Sequence, residues 1–397
     1  MRLPGFVCKT MKKLEECGFQ AFVVGGSVRD LLLENVPFDW DIATSALPQE
    51  VMEVFSEYRV IPTGIKHGTV TLVSGDGMIE FTTFRTEGAY LDNRHPQNVT
   101  FSGKIEEDLK RRDFTINALA YNPETGILDL FGGKADLKRK TIRCVGEPEM
   151  RFGEDALRIM RALRFSAVLG FEIEEDTSRA IFSCKKLLKN ISAERIAVEL
   201  SKLIMAENPR DVLLKYRVVF EEIFEIDLEE DIWRKSVEAV SRAEKNLSVR
   251  LALILRERTA DVLKRLKYDN KTMADSNMVA KYLDINLSPE PYLIKKELSS
   301  IGERAFRLVL AAKKACFSAF DDNLLKVEDT LDRVLREGEC FSLRQLDVKG
   351  GDICSVFEVQ GKKVGLMLEA LLDAVIRGKC QNKKEDLISY LKDYILN

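Results

Sequence analysis

The stretch VVGGSVRDLLLENVPFDWDIATS, residues 23–45, decides the reading of the fold. Two valines run into Gly25-Gly26, which reads as a strand ending in a glycine turn. Ser27 stands where a helix N-cap is expected, and SVRDLLLE (27–34) reads as a short helix. DWDIATS then reads as a second strand that opens on two acids. Acids are poor strand formers, and at a spacing of two Asp39 and Asp41 point to one side of the strand, where they repel each other. A cation is the group expected between them. Two carboxylates and the oxygens of a phosphate make a hard-cation site of the kind Mg²⁺ takes. The turn suits phosphate as well. Gly25 and Gly26 let backbone approach a ligand, the helix start at Gly25, Gly26 and Ser27 offers free N–H groups, and Arg29 adds a fixed charge. A Gly-Gly turn between strand and helix is common without any ligand, so it gains weight only from the acids that follow.

Working outward, residues 6–18 read as an amphipathic helix and PQEVMEVFSE (48–57) as a helix with Pro48 in its first turn. TVTLVSGDGMIEFTTFR (69–85) reads as a hairpin around Gly75-Asp76-Gly77. Its second arm carries Glu80, a third acid that would complete a two-metal site with ions roughly 3.5–4 Å apart. Phosphoryl or nucleotidyl transfer is the chemistry of such a site. Residues 86–99 are polar and turn-rich, so a mobile loop is expected there. DFTINALAYNPETGILDLFGG (113–133) reads as a helix and then a short hairpin. After about residue 145 strand signals thin out, and apolar stripes at three and four spacing continue to the C-terminus.

Two basic stretches bear on the same chemistry. In RRDFTINALAYN (111–122), Arg111 and Arg112 precede an expected helix, an unfavourable place for cations unless an anion lies nearby. GEDALRIMRALRFSA (153–167) reads as one helix burying Ala156, Met160, Leu163 and Ala167. Asp155, Arg158, Arg161 and Arg164 recur every three residues and drift about 60° per step around it. A solvated face with a weak Asp–Arg ion pair is the bland reading. Three arginines beside a metal-and-phosphate head favour a functional one.

Bulk composition narrows the classes. The 397 residues carry 61 Lys+Arg against 64 Asp+Glu, a net charge of −3, so any nucleic acid must meet local basic clusters. Only 2 histidines are present, His67 and His95, which excludes hydrolases and zinc sites built on several. The 8 cysteines contain no C-x-x-C pair, which fits reduced thiols in a cytoplasm. No signal peptide or bilayer-spanning stretch is expected.

GGSVRD, DWD, RRDFTINALAYN, GEDALRIMRALRF and ISAERIAVEL (191–200), in that order, resemble the bacterial class II tRNA nucleotidyltransferases, which share a head with bacterial poly(A) polymerases. LDVKGGDI and GKKVGLMLEALLDAVIRGKCQNKKEDL resemble that family's tail. The resemblance implies an α+β head followed by an all-α neck, body and tail in a seahorse-like molecule, with boundaries expected at 1–145, 146–205, 206–320 and 321–397. It implies Asp39 and Asp41 as Mg²⁺ ligands with Glu80 as third catalytic carboxylate, and Gly26, Arg29 and Arg112 on the triphosphate. Asp155 and Arg158 would read the base, with Arg161 and Arg164 behind them, and 86–99 would help switch from C to A addition. The implied reaction is untemplated addition of C, C and A to the tRNA 3′ end from CTP and ATP. Addition of A alone, of CC alone, and poly(A) synthesis remain alternatives. A complete 86–99 loop disfavours CC alone, and the arginine-rich signature of the poly(A) branch is not found.

The base choice follows from donor and acceptor order. An Asp accepts and an Arg donates. Cytosine and adenine both offer an amino donor beside a ring-nitrogen acceptor, whereas uracil and guanine offer the reverse and would leave mismatched polar groups. Body and tail would grip the acceptor arm through phosphate and shape, with Lys349, Lys362, Lys363, Lys383 and Lys384 as candidate contacts.

Overall fold

The structure, a computed structural model, describes residues 1–87, 99–317 and 321–396. They fall into two compact units, Met1–Glu229 and Glu230–Asn397. In the first, α1 (Gly5–Glu16) buries Val7, Met11 and Leu14 on one stripe. It leads into β1 (Ala21–Val24), α2 (Gly26–Leu32), β2 (Trp40–Thr44) and α3 (Pro48–Val54). The strands β3 (Arg59–Gly64), β4 (Thr69–Ser74) and β5 (Gly77–Thr83) follow, the last two as the expected hairpin. β6 (Arg85–Glu87) and β7 (Val99–Phe101) pair as a separate ribbon. The expected loop at 86–99 lies, from 88 to 98, outside the described residues. Then come α4 (Ile105–Lys110), β8 (Leu119–Asn122) and β9 (Gly126–Asp129).

The sheet runs β3-β4-β5-β2-β1-β8-β9. Its neighbours are antiparallel except β2 and β5, whose parallel register sets Asp41 beside Glu80. Alternation along the strands sends Val24, Ala43 and Ala120 into one apolar cluster with Phe84, Ile105 and Leu109. On β5, Phe81 stacks on Phe55, ring centroids 5.3 Å apart.

α5 (Gly133–Arg139) and β10 (Thr141–Ile142) lead to α6 (Pro148–Glu154) and α7 (Leu157–Leu169). β11 (Glu172–Ile173) pairs parallel with β10, and α8 (Glu175–Cys184), α9 (Ala193–Ile204), α10 (Pro209–Lys215) and α11 (Arg217–Phe224) complete the unit. The expected stripe Ala156, Met160, Leu163 and Ala167 is fully buried.

Four local expectations are corrected. Ser27 is not the helix cap: α2 begins at Gly26 and Gly25 caps it with φ 65°. The Ser27 hydroxyl instead donates to the Asp39 carbonyl (3.0 Å) and accepts from the Asp41 N–H (3.2 Å), which ties the turn to the start of β2. Asp113 does not start a helix. A single 3₁₀ turn, Thr115–Asn117, gives way to β8, because pairing with β1 and β9 outweighs the local helix pattern. Arg111 and Arg112 follow the C-terminus of α4, where cations are favoured. Residues 153–167 are two helices, broken at Asp155 (φ −137°, ψ 102°), whose carboxylate accepts from the Leu157 N–H at the start of α7.

The second unit is helical: α12 (Glu230–Arg242), α13 (Leu247–Leu255), α14 (Thr259–Arg265), α15 (Asn270–Tyr282), α16 (Pro291–Cys316) and α17 (Asp322–Arg336). Gly302 (φ 76°, ψ 162°) interrupts α16. α18 (Gly350–Phe357), α19 (Lys362–Ile376) and α20 (Lys384–Leu396) gather around Leu346, Val348, Ile353, Leu371, Leu387 and Leu391. Two of the candidate tRNA lysines are engaged here: Lys349 donates to the Arg344 and Leu346 carbonyls (2.8 and 2.7 Å), and Lys384 pairs with Asp352. All eight cysteines are free thiols. Among the described residues no helix is long and apolar enough to cross a membrane.

Candidate active site

A cleft of about 950 Å³ in the first unit is lined by the glycine turn, the ends of the adjoining strands β2 and β5, the segment after α4, and helix α7. It gathers Gly25, Gly26, Arg29, Asp39, Asp41, Glu80, Arg112, Asp155, Arg158, Arg161 and Arg164, every residue expected at the nucleotide and metal site except Ser27, which works from behind the turn.

At the strand edge the acids crowd one another. Burial pushes the Asp41 carboxyl above its ordinary value, Arg112 opposes this, and the Asp39 charge adds to it. Burial and the charges of Asp41 and Asp39 likewise raise Glu80, with Arg85 opposing. Among the described residues no three His, Cys, Asp or Glu side chains are gathered into a ready metal cage. The donor set is nevertheless hard and negative, and the neighbouring acids add to the effect of burial in raising Asp41 and Glu80. A small divalent ion that takes one or two carboxylates and completes its shell with phosphate and water oxygens fits it. The turn above is shaped for close approach: a Cβ on Gly25 would lie 2.7 Å from the Arg112 guanidinium.

On the side of α4 and α7 the charges are paired. Arg111 and Arg112 both grip buried Asp108 (2.6 and 3.0 Å). Burial alone would raise that carboxyl, but the two arginines hold it below the usual value. The Asp155–Arg158 ion pair of the bland reading gives way to other partners. Asp155 pairs with Arg195 (2.8 Å), while Arg158 turns to Glu154 (2.6 Å) and to the Arg151 and Arg111 carbonyls (3.1 and 3.0 Å). A one-turn spacing from Glu154 to Arg158 competes directly with Asp155 for the same guanidinium. Arg161 binds Asp113 (2.6 Å), and Arg164 binds Glu199 (2.5 Å). Burial would raise Asp113, yet Arg161, Asn117 and the Phe114 N–H keep its carboxyl below the ordinary value. Phe165 lies beneath three guanidiniums, with Arg164, Arg29 and Arg161 at 3.9, 5.2 and 5.3 Å from its ring centre.

Asp108, Asp113, Asn117, Phe165, Arg195 and Glu199 had no role in the sequence reading. Arg195 and Glu199 stood one turn apart in ISAERIAVEL, a spacing that puts both on one helix face, but nothing local says which helix they meet.

Three families match successive segments: “Poly A polymerase head domain” over residues 21–143, “Probable RNA and SrmB- binding site of polymerase A” over 170–223, and “tRNA nucleotidyltransferase domain 2” over 241–391. The CCA-adding enzyme of Lactobacillus delbrueckii subsp. bulgaricus is 56% identical over 200 residues, and that match spans half the length of each chain (50% and 50%). The CCA-adding enzyme of Streptococcus gordonii is 36% identical over 400 residues, 96% of both chains. Among solved structures, the Bacillus stearothermophilus CCA-adding enzyme in complex with CTP is 33% identical, with a TM-score of 0.83 over 99% of this chain and 98% of that one.

Proposed function

The chain belongs to the CCA-adding enzymes, and from that premise we propose that it adds C, C and A to the 3′ end of tRNA from CTP and ATP, releasing pyrophosphate. One observation carries the reading: the three-acid edge and the residues suited to reading a base, Asp155 and Arg158, line the same cleft. The Asp41–Glu80 register supports the first half, and the fixed Asp155 carboxylate supports the second.

Gly25, Gly26 and the N–H groups opening α2 cradle the triphosphate, with Arg29 and Arg112 supplying charge. Ser27 keeps this turn and the acids in register. Asp39 and Asp41, with Glu80 beside them, hold the family's divalent metal, Mg²⁺ by the fit of a small hard ion to carboxylate and phosphate oxygens. When bound it neutralises charge at the reacting α-phosphate. The tRNA 3′-hydroxyl attacks that phosphorus, the bond to pyrophosphate breaks, and pyrophosphate leaves along Arg29 and Arg112. No covalent enzyme intermediate is needed.

Two Arg195 N–H groups and the Leu157 N–H, three bonds in all, fix the orientation of Asp155. A carboxylate has about four acceptor sites, so one remains for the amino group of cytosine or adenine. Arg158 donates to N3 of cytosine or N1 of adenine, with Arg161 and Arg164 supporting it. UTP and GTP present the opposite order. The catalytic head is assigned to 1–145, the neck to 146–205, the body to 206–320 and the tRNA-binding tail to 321–397, in a cytoplasmic enzyme. The test is direct: offer tRNA lacking its end, tRNA ending in C and tRNA ending in CC, with CTP and ATP separately and together, and count added residues. Additions of three, two and one support the reading. Addition of A only to the CC form, or long A tails, overturns it.

A further inference from the structure

We propose that Asn117 is a positioning residue that ties Arg29 to Arg161, so that the phosphate end and the base end of a bound nucleoside triphosphate are held as one unit. The inference rests on the function proposed above.

Asn117 is 6% exposed and closes the 3₁₀ turn that replaces the expected helix. Its Oδ1 accepts from Arg29 Nη1 at 2.9 Å, and its Nδ2 donates to Asp113 Oδ1 at 3.2 Å. The other Asp113 oxygen accepts from Arg161 Nε at 2.7 Å and Nη2 at 2.6 Å. A continuous run of hydrogen bonds thus joins the arginine beside the glycine turn to the arginine on α7. The Phe165 ring backs both guanidiniums, at 5.2 and 5.3 Å from its centre. The Phe114 N–H holds Asp113 at 2.8 Å, and the Asn117 N–H holds the Phe114 carbonyl at 2.9 Å, so the middle of the run is fixed to the backbone.

The position needs an acceptor toward Arg29 and a donor toward Asp113, and a carboxamide supplies both. A carboxylate of the same size supplies acceptors alone and would repel Asp113. Asn117→Asp therefore changes the chemistry with little change of volume.

The test uses the full chain with saturating tRNA. KM and kcat are measured for CTP and ATP, together with inhibition by pyrophosphate, which probes the Arg29 end, and by cytidine, which has no phosphate. Asn117→Asp is expected to raise KM for CTP and ATP alike, on the order of tenfold for one lost hydrogen bond to a charged group. KM for tRNA should stay unchanged. The decisive readout is coupling. Arg29→Ala should weaken cytidine inhibition while Asn117 is present, and should no longer do so in the Asn117→Asp background. Cytidine inhibition unaffected by Arg29→Ala with Asn117 intact overturns the proposal, and this arm stands even where the Asn117 variants do not fold. An Asn117→Asp protein with a lower melting temperature and unchanged KM values also overturns it. A wild-type protein that incorporates neither CTP nor ATP overturns the function reading instead.

Discussion

At the strand edge of the cleft, Asp39, Asp41 and Glu80 crowd together, and Arg112 and Arg85 offset them only in part. On α7, Arg158, Arg161 and Arg164 each meet a carboxylate: Glu154, Asp113 and Glu199. The first region keeps like charges together, as the proposed metal site requires. The second is completed by the fold, and its polar groups are oriented before any nucleotide arrives. The contrast suits the two tasks. Charge neutralisation needs an exchangeable cation, whereas base discrimination needs donors and acceptors that do not rearrange.

The largest effect that would sharpen this contrast comes from the strand edge. Asp39→Ala or Asp41→Ala should slow addition of both C and A by about a thousandfold or more, several kcal/mol of lost charge stabilisation. The metal-free melting temperature should not fall, because one of two repelling acids is gone. Single-turnover rates and calorimetry in chelator check both halves. A variant that melts earlier and still turns over would erase the distinction between the two regions.

At the neck, Asp155→Ala should reduce discrimination of CTP over UTP by about 2–4 kcal/mol, since the acceptor that favours an amino group is lost. The ratio of kcat/KM values measures it. An exposed ion pair of under about 1 kcal/mol would leave that ratio unchanged.

Acid stability probes the paired region further. Asp113 titrates below its ordinary value in the folded chain, so its contribution is present above the unfolded pKa of 3.8 and is lost as pH falls through the folded pKa. Arg161→Gln removes the chief lowering charge and leaves only the Asn117 and Phe114 hydrogen bonds to oppose burial. Acid unfolding followed by circular dichroism should therefore begin at higher pH than in the wild type. An unchanged acid limb would mean that the pair does not hold the neck.

The smallest effect extends the comparison to the second unit. Lys362 and Lys363 are exposed and have no carboxylate partner among the described residues, whereas Lys349 is committed to two carbonyls. Lys362→Ala or Lys363→Ala should lower the salt slope of tRNA binding by about one. Lys349→Ala should lower stability and leave the slope alone.

Much of this was legible along the chain because it is local. The glycine turn, the two acids and the β4–β5 hairpin are encoded within short windows, and period-two alternation was enough to send Asp39 and Asp41 toward one cleft. The partners of the neck arginines were not. Asp155 meets Arg195 and Arg161 meets Asp113 across forty and forty-eight positions, separations that no periodicity records. The helix expected after Asp113 failed for the same reason. Its strand is held by register with β1 and β9, which local propensity does not see.

The central claim is that protein side chains alone, with no RNA template, distinguish the permitted bases. Equilibrium binding of CTP, ATP, UTP and GTP to the free protein in Mg²⁺, with no tRNA present, tests it most directly. CTP and ATP should bind comparably, and UTP and GTP at least about tenfold more weakly, the cost of one mismatched buried hydrogen bond. Equal affinity for all four nucleotides, or discrimination that emerges only when tRNA is added, would contradict the claim.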